Sequence, residues 1–143
     1  MRDAFGGILN ITIVAVFLIL VSSILAMTVN YTKAFRMKNY VISTIEQYEG
    51  SGCGCVEGGT QGACVDKIKR HAENLGYGAK TISCDGGKNS IDGLFCCQKA
   101  PNSEPKRPIY SVSTQVDVDL PLLDKILGGR ILQVHGDTRP IIK

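Results

Sequence analysis

The chain has 143 residues, the size of one ordinary domain, with 44% hydrophobic residues, 20% charged residues and a net charge of +3. Its apolar content is concentrated, because the 29 residues of segment 4–32 carry no charge and cannot also fill a globular core. The remaining chain with its six cysteines is typical of a small, loop-rich, disulfide-stabilised domain and argues against a large cytosolic enzyme. Lys and Arg are scattered along the chain, whereas nucleic-acid-binding modules cluster them, so no nucleic-acid partner is expected.

Residues 8–29 form a candidate membrane span. Seventeen of these 22 residues are apolar, and a helix of roughly 20 apolar residues crosses the hydrocarbon core of a bilayer. A cleaved secretory signal is the alternative, but its apolar region is usually about 7–15 residues long and ends in small residues, a pattern that Ile24 and Ala26 fit poorly. We therefore expect a retained single-pass anchor in membrane lipid, with residues 1–7 as a short leader or cytoplasmic tip.

The helix is predicted to continue beyond the membrane as an amphipathic segment, residues 30–50, because no Gly or Pro occurs between Asn30 and Glu49. Apolar residues recur there at a spacing of three and four, which places them on one helix face. They are Ala34, Met37, Val41, Ile45 and Tyr48. This stripe suits the core of the outer domain, residues 51–143, and also packing against copies of the same helix.

The outer domain is predicted to begin with a Gly-rich loop and a short amphipathic helix over residues 63–75, which Gly76 ends. Two β-like runs follow, residues 79–84 and 93–99, with a turn-rich stretch between them. A proline-rich surface connector over residues 100–108 leads to the next strand.

Residues 110–120 show the clearest alternation of apolar and polar side chains, which is typical of a half-buried antiparallel strand. The alternation predicts that Val116 faces the core and that Gln115 faces water. Residues 130–135 alternate again and are expected to pair with this strand. The predicted fold class is α+β and Cys-rich: a long N-terminal helix, first transmembrane and then amphipathic, a short second helix and a small antiparallel β-sheet.

The cysteines number six and all lie outside the candidate span: Cys53, Cys55, Cys64, Cys84, Cys96 and Cys97. Their even number and their placement favour a disulfide framework over a metal site or free thiols. Adjacent Cys96 and Cys97 are too close for an ordinary bridge, so each is expected to reach a different partner. The C-x-C and C-C spacings do not match typical zinc ligands, and His71 and His135 stand alone, so no metal or other cofactor is expected.

Two signals disagree about the side of the membrane that holds the outer domain. Arg2 is offset by Asp3 before the span, whereas Lys33, Arg36 and Lys38 follow it, a bias that favours a cytoplasmic outer domain. Oxidised cysteines require the opposite side. We give the cysteines more weight, because the charge bias is statistical, and predict an extracytoplasmic domain.

No catalytic motif occurs: G-x-S-x-G, H-E-x-x-H and G-x-x-x-x-G-K-[ST] are all missing from the sequence. Cys64 and His71 are seven residues apart, and nothing in the sequence marks Cys64 as an activated nucleophile. An enzyme is therefore not expected.

The run Phe5-Gly6-Gly7-Ile8 ends a short leader just before the apolar helix. A leader ending in Gly, a long helix that turns from apolar to amphipathic, and a C-terminal antiparallel sheet together resemble type IV pilin-like proteins. The resemblance is greatest to the small pseudopilins of bacterial tight-adherence (Tad, Flp-type) systems. It covers the anchor and residues 110–139, which resemble the closing β-hairpin of such subunits.

The resemblance implies cleavage between Gly7 and Ile8 by a prepilin peptidase. It also implies packing of the helix against homologous or identical pilin-like subunits, in a bacterial pilus, another cell-surface filament or a secretion apparatus. Cleavage there puts Thr12 at the fifth position, where type IV pilins usually carry Glu, so a minor structural subunit or an uncleaved anchor is favoured.

Polar side chains inside the span are candidates for hydrogen bonds between packed helices, where such bonds contribute about 0.6–2 kcal/mol. These residues are Asn10, Thr12, Ser22 and Ser23. The alternative function is a single-pass, membrane-tethered extracellular binding module that uses the Cys-rich Gly loop as its binding surface.

Overall fold

The computed structural model describes residues 2–56, 59–77, 82, 84, 89–116 and 132–142. Its elements are α1 (Arg2–Gln47), α2 (Ala63–Leu75), β1 (Asn89–Ile91), β2 (Phe95–Lys99), β3 (Tyr110–Val116) and β4 (Leu132–Asp137). The strands form one sheet in the order β1-β2-β3-β4, and every neighbouring pair is antiparallel. Three disulfides brace the domain. The predicted α+β, Cys-rich fold class is confirmed.

Helix α1 is uninterrupted over 46 residues, about 69 Å at 1.5 Å per residue. It already includes Gly6 and Gly7, so the residues of the predicted leader continue the same helix. The helix ends at Gln47, slightly before the expected stop, because Glu49 and Gly50 both adopt positive φ, 50° and 75°. The Gly50 N–H then donates to the Ile45 carbonyl at 2.9 Å, which satisfies an end group of the helix.

The second half of α1, residues 30–47, is the central element of the outer domain and is called the packed half below. Four members of the predicted stripe, Ala34, Met37, Val41 and Ile45, are fully buried. The fifth, Tyr48, lies just beyond the end of α1 and packs on the core while half-buried. These side chains share one core cluster with residues of β3, β4 and α2. Their spacing of three and four therefore marks the face on which the sheet and α2 pack.

Helix α2 has the predicted bounds and the predicted cap. Its buried residues Cys64, Val65, Ile68 and Ala72 face α1 and the sheet. Gly76 ends the helix in the left-handed conformation, with φ of 61°, which glycine adopts at no steric cost. The rings of Tyr40 in α1 and His71 in α2 stack with their centroids 3.6 Å apart, which ties the two helices together.

The first hairpin of the sheet differs from the prediction. Strand β1 lies in the stretch that was expected to form turns, whereas the expected run 79–84 falls mostly outside the described residues, and Ile82 and Cys84 within it are not in a strand. The chain reverses at Asp92 and Gly93, whose φ angles are 49° and 66°. Asp-Gly with two positive φ values is the preferred tight hairpin turn, and the expected strand 93–99 ran through it.

Strand β3 pairs with β4 as predicted, with Ser113 opposite His135, but its two faces are both covered. Residues 117–120 and 130–131 of the two predicted runs lie outside the described residues. Val116 is buried, as expected. Gln115 is also buried, at 6% exposure, so the expectation that it faces water is wrong. One face lies on α1, where the Thr114 hydroxyl donates to the Ala34 carbonyl at 3.0 Å. The other carries Ser113, which is opposite Cys96 and its bridge in β2.

Candidate functional site

All six cysteines are paired, in the bridges Cys53–Cys64, Cys55–Cys97 and Cys84–Cys96. The predicted framework is therefore confirmed. Neighbouring side chains of a strand point to opposite faces, so adjacent Cys96 and Cys97 reach different partners, as predicted. Among the described residues no three His, Cys, Asp or Glu side chains form a group suited to a metal ion.

The Gly-rich loop is fastened to the domain at both of its buried cysteines, Cys53 and Cys55. Gly54 between them has a positive φ of 70°, and a Cβ there would lie 2.7 Å from Cδ1 of Ile91 in β1. A side chain at this position would be strained by the positive φ and would displace the end of the Ile91 side chain. Beside this packed stretch, Val56 is a large apolar side chain exposed to solvent.

The first half of α1, residues 8–29, is called the apolar half below, and it is the most conspicuous surface of the molecule. Its large apolar side chains are exposed, from 38% at Val21 to 72% at Ile11, except Met27 near its end, which is half-buried. In the described part of the chain, Gly6–Gln47 is the one helix long and apolar enough to cross a membrane. Such an area of exposed apolar surface marks a contact with lipid or with other apolar helices.

The predicted helix-packing residues lie on this apolar half, and their hydroxyls bond to the helix itself. Thr12 donates to the Ile8 carbonyl at 2.9 Å. Ser22 and Ser23 both donate to the Ile19 carbonyl, at 2.9 and 2.8 Å. These hydroxyl protons are therefore satisfied before any partner is bound, and only the oxygen lone pairs remain as acceptors for a neighbouring helix.

Asn10 and the predicted cleavage site lie near the start of the same surface. Asn10 borders a shallow groove on the helix that is also lined by Ile11, Val14, Ala15 and Leu18. Gly7 and Ile8 are both exposed, and no atom outside the local helix lies within 4 Å of a Cβ built on Gly7. The backbone between them is helical.

The packed half of α1 is held against the sheet by residues that the sequence pattern does not mark as functional. A Cβ on Gly136 in β4 would lie 2.9 Å from Cδ1 of Ile42 and 3.0 Å from Cδ of Lys38, so glycine allows the helix to approach the strand. Farther on, the Arg139 N–H donates to Oε1 of Glu46 at 2.8 Å. A glycine inside a strand pattern is the usual signal of such a close approach.

Side-chain hydroxyls also make hydrogen bonds to the backbone at both ends of β3. The Tyr77 hydroxyl donates to the Gln115 carbonyl at 2.8 Å and accepts from the Gln115 N–H at 3.0 Å, where β2 no longer pairs with β3. Thr138 and Tyr110 bond reciprocally, each N–H donating to an oxygen of the other residue at 2.9 Å. Burial raises the pKa of the Tyr110 hydroxyl above its usual value of 10.0.

Because α1 is one continuous helix, the apolar half extends directly from a disulfide-braced domain. The arrangement can anchor the chain in an apolar phase and can pack laterally against other helices. No family model matches the chain, and neither curated proteins nor solved structures yield a match. Function is therefore inferred from the geometry of α1 and of the domain built around it.

Proposed function

We propose that the chain is a membrane-anchored, pilin-like structural subunit, in a minor role, of a bacterial pilus or secretion apparatus. The observation that supports this proposal is the division of α1. One half is core of the outer domain, while the other exposes apolar side chains on all sides. Because the helix is continuous across the boundary, lateral contacts of the apolar half would fix the position of the outer domain.

The dimensions of the apolar half fit this role. Its 22 residues would extend about 33 Å, close to the roughly 30 Å of a bilayer hydrocarbon core. In lipid, helices associate through van der Waals packing and hydrogen bonds, since burial of apolar surface gives no net gain there. Asn10 and the oxygens of Thr12, Ser22 and Ser23 are the polar groups available for those bonds.

The disulfides support an extracytoplasmic position for the outer domain, because bridges form and persist in oxidising compartments. Two of the three cations behind the opposing charge bias contact the outer domain. Lys38 is largely buried between α1 and β4, and Nζ of Lys33 lies 3.8 Å from the position of a Cβ on Gly76, at the end of α2. Both cations thus belong to the domain that would be carried across the membrane.

Photo-cross-linking in native membranes tests the proposal. A photoreactive phenylalanine analogue is placed in turn at four successive positions, Phe17, Leu18, Ile19 and Leu20, which together sample the whole circumference of a helix. We expect adducts with a second protein from some positions and not from others. The adducted peptide should itself be an apolar helix, either from a copy of this chain or from a similar subunit.

The matched control carries the same analogue at exposed Lys106, in the connector before β3. Adducts with lipid alone from all four positions, in cells that make the chain at its native level, would contradict the assembly role and favour the tethered binding module. The mass of the native chain gives a separate measurement, since loss of residues 1–7 would establish cleavage between Gly7 and Ile8.

A further inference from the structure

The turn of α1 that follows the apolar half carries an exposed mixture of aromatic and cationic side chains. Tyr31 and Phe35 are 49% and 44% exposed, and Arg36 is exposed beside them. Lys33 is half-buried on the same turn. We name Tyr31, Lys33, Phe35 and Arg36 the juxtamembrane belt. Aromatic rings together with cations at the end of an apolar helix are typical of the membrane–water interface.

The belt lies at the depth of lipid headgroups if the apolar half spans the bilayer, as the proposed function requires. Lys33 and Arg36 follow Val29 by four and seven residues, about 6 and 10 Å along the helix axis. The headgroup layer is about 5–8 Å thick on each side of the core. Side chains of a helix lean toward its N-terminus, so Arg36, about 10 Å beyond Val29 along the axis, is within reach of the headgroup layer.

Arg36 is available for a ligand, whereas the neighbouring cations have contacts within the domain. Among the described residues Arg36 makes no ion pair or hydrogen bond. Lys33 lies beside the C-terminal end of α2, where a helix carries partial negative charge. Lys38 places its Nζ 4.3 Å from the ring centroid of Phe35, so the domain fixes one side of this ring while the other remains exposed.

We propose that the juxtamembrane belt binds the headgroups of anionic phospholipids in the leaflet next to the outer domain. The charge is complementary, and the belt is continuous with the apolar half. Arginine donates two parallel hydrogen bonds to a phosphate, while the exposed ring of Tyr31, about 3 Å beyond Val29 along the helix axis, suits the boundary between headgroups and chains. A lipid-bound belt would fix the depth of α1 in the membrane.

The test uses the full chain in vesicles of phosphatidylcholine and phosphatidylglycerol at a ratio of about four to one, chosen so that the anionic lipid is the minor species. After mild detergent extraction, mass spectrometry counts both lipids retained on the protein. We expect phosphatidylglycerol to be enriched over its share in the vesicle. Arg36→Gln should lower that enrichment about fivefold, the effect of one basic residue at a surface, and Arg36→Lys should retain most of it.

Lys106→Gln is the matched control, because it removes the same charge from an exposed position in the connector. Equal enrichment in wild type and Arg36→Gln, or an equal loss in Lys106→Gln, would overturn the inference. Adducts of a photoreactive residue at Tyr31 with an acidic protein in place of lipid would overturn it as well.

An alkaline carbonate wash of the same vesicles separates this inference from the proposed function. Release of the wild-type chain by the wash would contradict the membrane anchor itself. Retention without any preference for phosphatidylglycerol would contradict only the juxtamembrane belt.

Discussion

The two halves of α1 are both rich in apolar residues, but the domain contacts only one of them. In the packed half the apolar residues recur at a spacing of three and four, with polar residues between them, so one face meets the sheet and α2. In the apolar half they occupy every face, and all the large apolar side chains except half-buried Met27 remain exposed. Periodicity, rather than apolar content, thus distinguishes a helix packed by its own chain from one that needs lipid or partners.

A charge introduced into either half should separate these roles most clearly. Val41→Asp buries a carboxylate in the core at a fully buried position, which is costly enough to unfold the domain. We expect loss of the protease-resistant outer domain, with the chain still bound to membranes. Leu18→Asp, at an exposed position of the apolar half, should leave the domain resistant and weaken insertion by about 3 kcal/mol. Limited proteolysis and carbonate extraction of both variants measure this, and the same outcome for both would show that the halves are not independent.

The disulfides should stabilise the outer domain but not the apolar half, and each should contribute more the longer the loop that it closes. Cys55–Cys97 spans 42 residues and Cys53–Cys64 spans 11. Chain-entropy arguments give about 4 kcal/mol for the first loop and about 3 kcal/mol for the second. Replacing each pair by alanine and measuring urea unfolding of the outer domain tests the order. A larger loss from the short bridge would contradict it, and membrane retention should be unchanged in both variants.

Gln115 tests whether the second face of β3 is buried as deeply as the face on α1. Gln115→Asp would place a carboxylate at a position that is 6% exposed, where Oε1 already lacks a hydrogen-bond partner among the described residues. We expect a loss of about 1–3 kcal/mol in the free energy of unfolding. The control Asn102→Asp, in the exposed connector, should change it by less than about 0.5 kcal/mol. Equal small effects would mean that this face is open to water.

Tyr110 gives the smallest effect, confined to alkaline pH. Its raised pKa means that the folded state favours the neutral hydroxyl, because burial penalises the phenolate. The stabilisation is present below pH 10.0, the ordinary pKa, and is lost as the pH rises through the folded-state pKa. Tyr110→Phe should therefore make the outer domain less sensitive to alkali, whereas Tyr31→Phe, at an exposed position, should not. Circular dichroism of the wild type and both variants, recorded from neutral to alkaline pH, measures the loss of folded structure in each.

The local sequence pattern was sufficient to predict the long helices and strands. The stripe from Ala34 to Ile45, the bounds of α2 and the pairing of β3 with β4 follow from periodicity and from Gly76, signals that act within a few residues. The sequence analysis does not predict the short strand β1, because its main signal is the Asp92-Gly93 turn, and the predicted strand 93–99 begins at the second residue of that turn. Gly136, Tyr77 and Thr138 were missed because each acts on a residue more than 25 positions away.

The sequence alone therefore determined the α+β class, the apolar half of α1, the buried stripe of the packed half and the presence of a disulfide framework. These properties depend on residue type and on spacing along the chain. Only the tertiary structure decided which cysteines pair, whether Gln115 is buried, and which residues of β4 pack against α1. Those outcomes depend on which segments meet across the core, and distant segments leave no periodic signal in the chain when they pack together.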